Sequence, residues 1–194
     1  MPRISAQEFE RLPLRVHEFL AGVPLHDVWV VDLPHTRGGI TLDEFLRAAG
    51  GRVFTPSPIV RALLSIRFFV GRLFGWDREK AGPVGETFAS RLTTADTARS
   101  LAPAGTRKGP FRVVYHFENE ELLELTNRTA HAAALSALVE TPGAYRFYFG
   151  VYVREVGRFT AAYMAVIDPF RKLVVYPSLL RSVRTTWNRT FGAA

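Results

Sequence analysis

The strongest pattern in the chain lies at its C-terminal end. Between Gly157 and Phe191 the apolar positions recur at helical spacing, with Tyr163, Ile167, Phe170, Val174, Val175, Leu179 and Val183 in one broad stripe. This predicts a single long helix. Its basic residues, Arg171, Lys172, Arg181, Arg184 and Arg189, gather late, where the negative pole of a helix favours cations. Pro169 and Pro177 each remove a backbone donor and crowd the preceding turn, so two bends are expected.

Upstream, residues 5–20 read as a short helical entry broken near Pro13. His26 to Leu33 is a Val- and Trp-rich strand stopped by Pro34. Thr41 is placed to cap the helix LDEFLRAA, which Gly50-Gly51 ends. Ser57 and Pro58 open a second helix running to Trp76, apolar almost all round and interrupted by Arg61, Arg67 and Arg72. That helix reads as core-packing, with a membrane-surface helix as the alternative; its apolar run is too interrupted to span a bilayer.

The pattern weakens over residues 77–110, where GPVGETFASRL suggests a strand, TTADTARSL a short capped helix and PAGTRKGP a loop. This stretch suits a cover over a cavity. Strand alternation returns at Phe111–Glu118, with Phe111, Val113, Tyr115 and Phe117 on one face and Arg112, Val114, His116 and Glu118 on the other. ELLELTNR is the next strand. Thr129–Glu140 is alanine-rich, which favours helix, yet it sits between strand-like runs with short turns, and strand is the reading adopted. Its small side chains would leave space above the sheet. Ala144–Val156 is the clearest strand, and Gly150 at its middle suggests a bend or bulge.

Composition narrows the chemistry. The 194 residues, 47% of them hydrophobic, suit one globular domain over 1–194 with a sizeable core. Without cysteine there are no disulfides, thiolate nucleophiles or cysteine-based zinc sites. Residues 1–20 lack a signal-like apolar core, which points to the cytoplasm. The net charge of +7 invites an anionic partner, but the arginines are dispersed and no helix-turn-helix, zinc-finger or ribonucleoprotein pattern occurs. Nucleic acid is therefore not the expected partner; a solvated, arginine-rich surface is the plainer reading of the charge, and an anionic membrane surface, met through Ile59–Trp76 or Arg181–Arg189, is the alternative.

No phosphate-binding glycine loop, nucleophile elbow or three-ligand metal motif is present, so no catalytic set, cofactor or metal is assigned. His116 and His131, with Glu118 or Glu124, are the acid–base candidates, and two hydrogen-bonded or surface histidines are the plainer reading. Asp168 stands out as the acid inside the apolar tail, placed to cap the helix restarting at Pro169 or to pair with an arginine. Tyr115, Phe117, Leu135, Phe147, Phe149, Tyr163 and Ile167, with His131 as a polar tip, are the expected lining of an apolar pocket. A filled core is the alternative for the same residues.

Strand, two helices, a run of antiparallel strands and one long terminal helix is the order of the helix-grip fold, an α+β architecture in which a curved antiparallel sheet wraps around the C-terminal helix. SPIVRALLSIRFFVGRLFG and VGRFTAAYMAVIDPFRKLVVYPSLL resemble a bacterial domain-of-unknown-function family placed in the START-like, birch-pollen-allergen-like (SRPBCC) superfamily. Gly157, Arg158, Tyr163, Pro169 and Phe170 match that family's tail, while Arg171 stands where the family often has His. The resemblance implies a cavity between sheet and long helix, holding a hydrophobic or amphipathic small molecule such as a lipid or polyketide. It also admits a cyclase- or hydratase-like enzyme, for which His131, Tyr115 and Tyr163 would be the proton-moving groups.

Overall fold

The computed structural model describes residues 4–34, 37–50, 87–126, 131–154 and 168–192. The expected helix from Ser57 to Trp76 lies outside these residues. So do Tyr163 and Ile167 and, with them, residues 157–167 of the predicted C-terminal helix.

Two short helices, α1 (Ala6–Glu10) and α2 (Arg15–Phe19), lie on either side of Pro13, as the sequence predicts. The strand β1 (Leu25–Pro34) follows, then α3 (Leu42–Ala48), whose first turn is capped by the Thr41 hydroxyl accepting from the Glu44 amide at 3.1 Å. Phe88–Arg91 is a 3-10 turn, not the strand expected there. With only four residues between Thr87 and Leu92, local i→i+3 bonding takes the place of a sheet partner. A reciprocal capping box between Thr93 and Asp96 opens α4 (Thr94–Arg99).

β2 (Arg107–Lys108), β3 (Phe111–His116), β4 (Glu120–Thr126), β5 (His131–Thr141) and β6 (Ala144–Arg154) join β1 in an antiparallel sheet of order β1-β6-β5-β4-β3-β2. β5 settles the conflict posed by its alanines. Unbroken pairing with β4 and β6 outweighs helix propensity. Two irregularities interrupt the ladders, one between Leu25 and Asp27 and one between Val113 and Tyr115. The second bulge brings Val114 into the same apolar cluster as Tyr115, so the strict alternation expected for β3 fails there. Gly150 pairs regularly with Leu135 and Val28, so it is neither bend nor bulge. A Cβ built on it would meet Leu135 and Phe9 at ordinary contact distance.

Parity along the strands divides the core in two. One face carries Trp29, Val31, Leu33, Tyr145 and Phe147, covered by Phe45 of α3 and by Leu180, Val183 and Trp187 of the C-terminal helix. The opposite face carries Val28, Val30, Tyr115, Leu122, Leu135 and Tyr148, covered by Phe9, Val16, Phe19 and Phe88. The sheet is thus a filling between two layers of helix and turn.

The C-terminal helix corrects the sequence reading in its first turns. Residues 168–170 are α-helical, Arg171–Val175 form a π turn, and α5 (Tyr176–Phe191) completes the helix. Pro177 lacks the amide that would reach the Leu173 carbonyl, and the Tyr176 amide bonds back to Arg171 instead, widening the turn. The helix passes through Pro177 by this widening. It also shifts phase, because a π turn holds more residues than an α turn. Phe170, expected inside, is 53% exposed, and Leu173 is 77% exposed; the buried stripe is Tyr176, Leu180, Val183 and Trp187.

Candidate functional site

The residues expected to line one pocket do not gather in one place. Tyr115, Phe117, Leu135 and His131 belong to the face beneath the N-terminal helices, whereas Phe147 and Phe149 belong to the face beneath α5. The register makes this unavoidable: Leu135 pairs with Gly150, so Phe147 and Phe149 share the parity of Leu138 and Ser136.

On the N-terminal face the polar tips are committed to structure. The Tyr115 hydroxyl donates to the buried Glu120 carboxylate, which also accepts from the Arg15 and Val16 amides at 2.8 and 2.9 Å. Glu120 therefore caps α2, whose own N-cap residue is Leu14 and offers no side-chain bond. Burial pushes the Glu120 carboxyl above its ordinary range, against the pull of these donors, and burial beside Glu120 raises the Tyr115 phenol. Glu124, two strand repeats further on, accepts from the Phe88 amide at 2.8 Å and meets His131 Nε2 at 3.4 Å. The His131 ring stacks on Phe88 with centroids 4.0 Å apart.

His116 and His131 do not form a pair. β4 stands between their strands, and His116 lies on the other side of the sheet, 3.3 Å from Glu121 and 3.5 Å from Asp43. Burial, helped by the charges of Lys108 and Arg47, lowers its pKa against the pull of those carboxylates, which favours the neutral ring near pH 7.

A constellation that the sequence announces only in part forms where the π turn meets β1. Asp168 accepts from His26 Nε2 at 2.9 and 3.0 Å, from Lys172 Nζ at 2.7 Å and from Arg171 at 3.2 Å. The His26 proton is assigned to Nε2, because an ionised carboxylate only accepts. Arg171 reaches on to the Tyr176 hydroxyl and lies over that ring, a contact across five residues that suits the wide turn. Burial works to raise the Asp168 pKa, but the bonds from Lys172 and His26 and the charges of His26 and Arg171 prevail and hold it below the usual range. Behind the charged groups Tyr176 packs on Trp29 and Phe149, with ring centroids 5.5 and 5.7 Å apart.

Two surfaces adjoin this constellation. A cleft of about 350 Å³ opens beside it, walled by Ile4, Ala6, Leu25 and Val28 with Ser5, His26 and Asp27 as its polar members. On the α5 face of the sheet, Leu123, Leu125, Ala132, Ala134 and Phe149 are only half-buried, although Phe147 and Leu138 beside them are covered. His26, Asp27 and Asp168 also form the set of metal-ligating side chains that converges among the described residues.

The stretch from β1 to the π turn, which holds every charged residue of the constellation, lies within residues 19–178, and those residues match a single family model. The chain belongs to the family described as "Protein of unknown function (DUF2867)". No curated protein and no solved structure matches it. Within this DUF2867 chain, Ile4, Ser5 and Ala6 of the cleft and Trp187 of the helix packing fall outside the matched stretch.

Asp168 was legible as an acid placed for an arginine, since Asp168, Arg171 and Lys172 sit at i, i+3 and i+4 on a predicted helix. His26 was not. It stands 142 residues away and reaches Asp168 only through the sheet, so no local spacing announces it.

Proposed function

We propose that this DUF2867 chain is a non-catalytic, cytoplasmic helix-grip module of the SRPBCC type that holds an amphipathic small molecule, lipid- or polyketide-like, against the α5 face of the sheet. The observation that carries the reading is the half-buried strip of Leu123, Leu125, Ala132, Ala134 and Phe149, which small side chains keep low. Such a strip takes an apolar body. The constellation of Tyr176, Arg171, Lys172 and His26, on the same helix and at the end of β1, supplies the polar end. The place of the ligand differs from the expected centre of the helix, because Leu180, Val183 and Trp187 fill the space between α5 and β1–β6.

The test is native mass spectrometry of the organic extract together with titration of an environment-sensitive fatty-acid probe. Saturable probe binding that Ala134→Trp reduces about tenfold or more, as expected when a buried site is filled, supports the reading. Absence of probe binding, or binding unaffected by Ala134→Trp in a folded variant, refutes it. The enzymatic alternative loses two of its three groups, since the Tyr115 hydroxyl is spent on Glu120 and His131 is stacked on Phe88; Tyr163 lies outside the described residues.

A second reading, association with an anionic membrane, rests on the outer face of α5. Arg181, Arg184 and Arg189 are exposed there and the helix carries no acidic residue. Among the described residues no helix is long and apolar enough to cross a membrane, so contact would be peripheral. Co-sedimentation with phosphatidylserine vesicles that weakens with salt supports it.

A further inference from the structure

Consecutive residues of a regular strand point to opposite faces, so their side chains do not converge. His26 and Asp27 break this rule. The register shift between Leu25 and Asp27 re-aims His26, and its Nε2 comes within 3.5 Å of Asp27 Oδ2. The same nitrogen lies 2.9 Å from Asp168 Oδ1, and one ligating atom from each residue falls within 4.8 Å of the others. The Asp27 side chain is fully buried and that of Asp168 is 17% exposed.

We infer that His26, Asp27 and Asp168 bind a first-row divalent cation, with zinc the natural probe. The cation displaces the Nε2 proton that His26 donates to Asp168, and that proton leaves for solvent or passes to Nδ1. Tetrahedral zinc at bond lengths of about 2.0–2.2 Å separates its ligand atoms by roughly 3.3–3.5 Å; the two His26 separations are 2.9 and 3.5 Å, and the two carboxylates lie within 4.8 Å of each other, a range that rotamer adjustment spans. One imidazole and two carboxylates supply three ligands and leave a fourth position open, the stoichiometry of a site that also accepts water or substrate. The cleft of about 350 Å³ bordered by His26 and Asp27 gives that position somewhere to open. Lys172 bonds the Oδ2 atom of Asp168 and Arg171 its Oδ1 atom, while His26 Nε2 meets both oxygens, so a cation would replace the His26 contact on a carboxylate held by two basic side chains. Arg171, tied to Tyr176, adds a second brace. An organic ligand on the α5 face is not required by this site, and the two are tested separately.

The experiment uses untagged full-length chain, freed of metal by chelation and of lipid by extraction, titrated calorimetrically with zinc and by absorption with cobalt. One saturable equivalent is expected, with cobalt bands of a four-coordinate nitrogen–oxygen site. His26→Gln and Asp168→Asn should each weaken zinc binding about tenfold or more, while His116→Gln, in the separate set with Asp43 and Glu121, should leave it unchanged. Should a variant fail to fold, imidazole nitrogen resonances of the unaltered protein decide the matter, because zinc must shift His26 and leave His116 and His131 in place. Absence of a saturable equivalent, an affinity indifferent to His26→Gln, or a shift confined to another histidine overturns the assignment.

Discussion

Replacing Asp168 by Asn tests whether the constellation is held by charge or by shape. Asn keeps the size of the side chain and one acceptor, but removes the negative charge and turns an amide donor towards Lys172 or Arg171. In the intact site Lys172 at 2.7 Å, Arg171 at 3.2 Å and His26 at 2.9 Å all donate to this carboxylate, and the acid itself is 17% exposed. A charge-assisted hydrogen bond contributes about 1.5–3 kcal/mol net when sheltered. Lys172 and His26 are each about a quarter to a third exposed, so solvent screening reduces the sum. A net loss of about 2 kcal/mol follows, or about 4–8 °C in Tm for a chain of this size.

The pH dependence gives the sharper check. The folded pKa of Asp168 lies below the ordinary value of 3.8, so its contribution is complete above 3.8 and is lost as pH falls through the folded value. Urea titrations in chelator of the parent chain and Asp168→Asn should differ clearly at pH 5 and above. The gap should close in more acidic solution, where the parent loses the charge that the variant never had. A gap that persists unchanged at pH 3, or that is absent at pH 7, would show that the carboxylate charge does not organise the π turn.

Glu120→Ala strips the cap from α2 and leaves the Arg15 and Val16 amides and the Tyr115 hydroxyl without their acceptor, so a loss of about 2–4 kcal/mol is expected. Hydrogen exchange should then rise first in α1 and α2. The Glu120 pKa is raised, so its linkage runs opposite to that of Asp168: stability from this group is greatest in acid and declines as pH rises through the folded value. Glu120→Ala should therefore cost more at pH 5 than at pH 8, read from urea midpoints. Trp187→Ala empties the fully buried position against Phe45 and Tyr145 and should cost about 3–5 kcal/mol by denaturant titration. Gly150→Ala, whose added methyl meets Leu135 and Phe9 without overlap, should change stability by less than about 1 kcal/mol.

Where a single period governed the chain, the sequence reading matched the structure. β1, α3 and β6 could be placed within a residue or two because their composition and end signals are strong, and β5 because its place between two strands with short turns outweighed its alanines. The division of the core was harder to see. Tyr115 and Phe147 are both aromatic, strand-borne and buried, and only the pairing of Leu135 with Gly150 assigns them to opposite faces. That register is a long-range property, fixed by turns and by the packing of Phe9 and Trp187 on either side.

The same consideration explains why the candidate site was the least legible part. Periodicity finds residues that follow a rule, and this site is made of residues that leave one. His26 departs from strand alternation at a bulge, and Arg171 and Lys172 sit in a turn of the wrong helical period because Pro177 withholds its amide. Either irregularity alone could serve packing. Here they are drawn together by Asp168, 142 residues from His26, so that two departures from regular structure are joined by one carboxylate. A ladder and a helix that merely needed to pack would be more stable left regular. Their shared interruption at a charged, partly sheltered point beside a cleft is the ground on which this corner is proposed as the binding end.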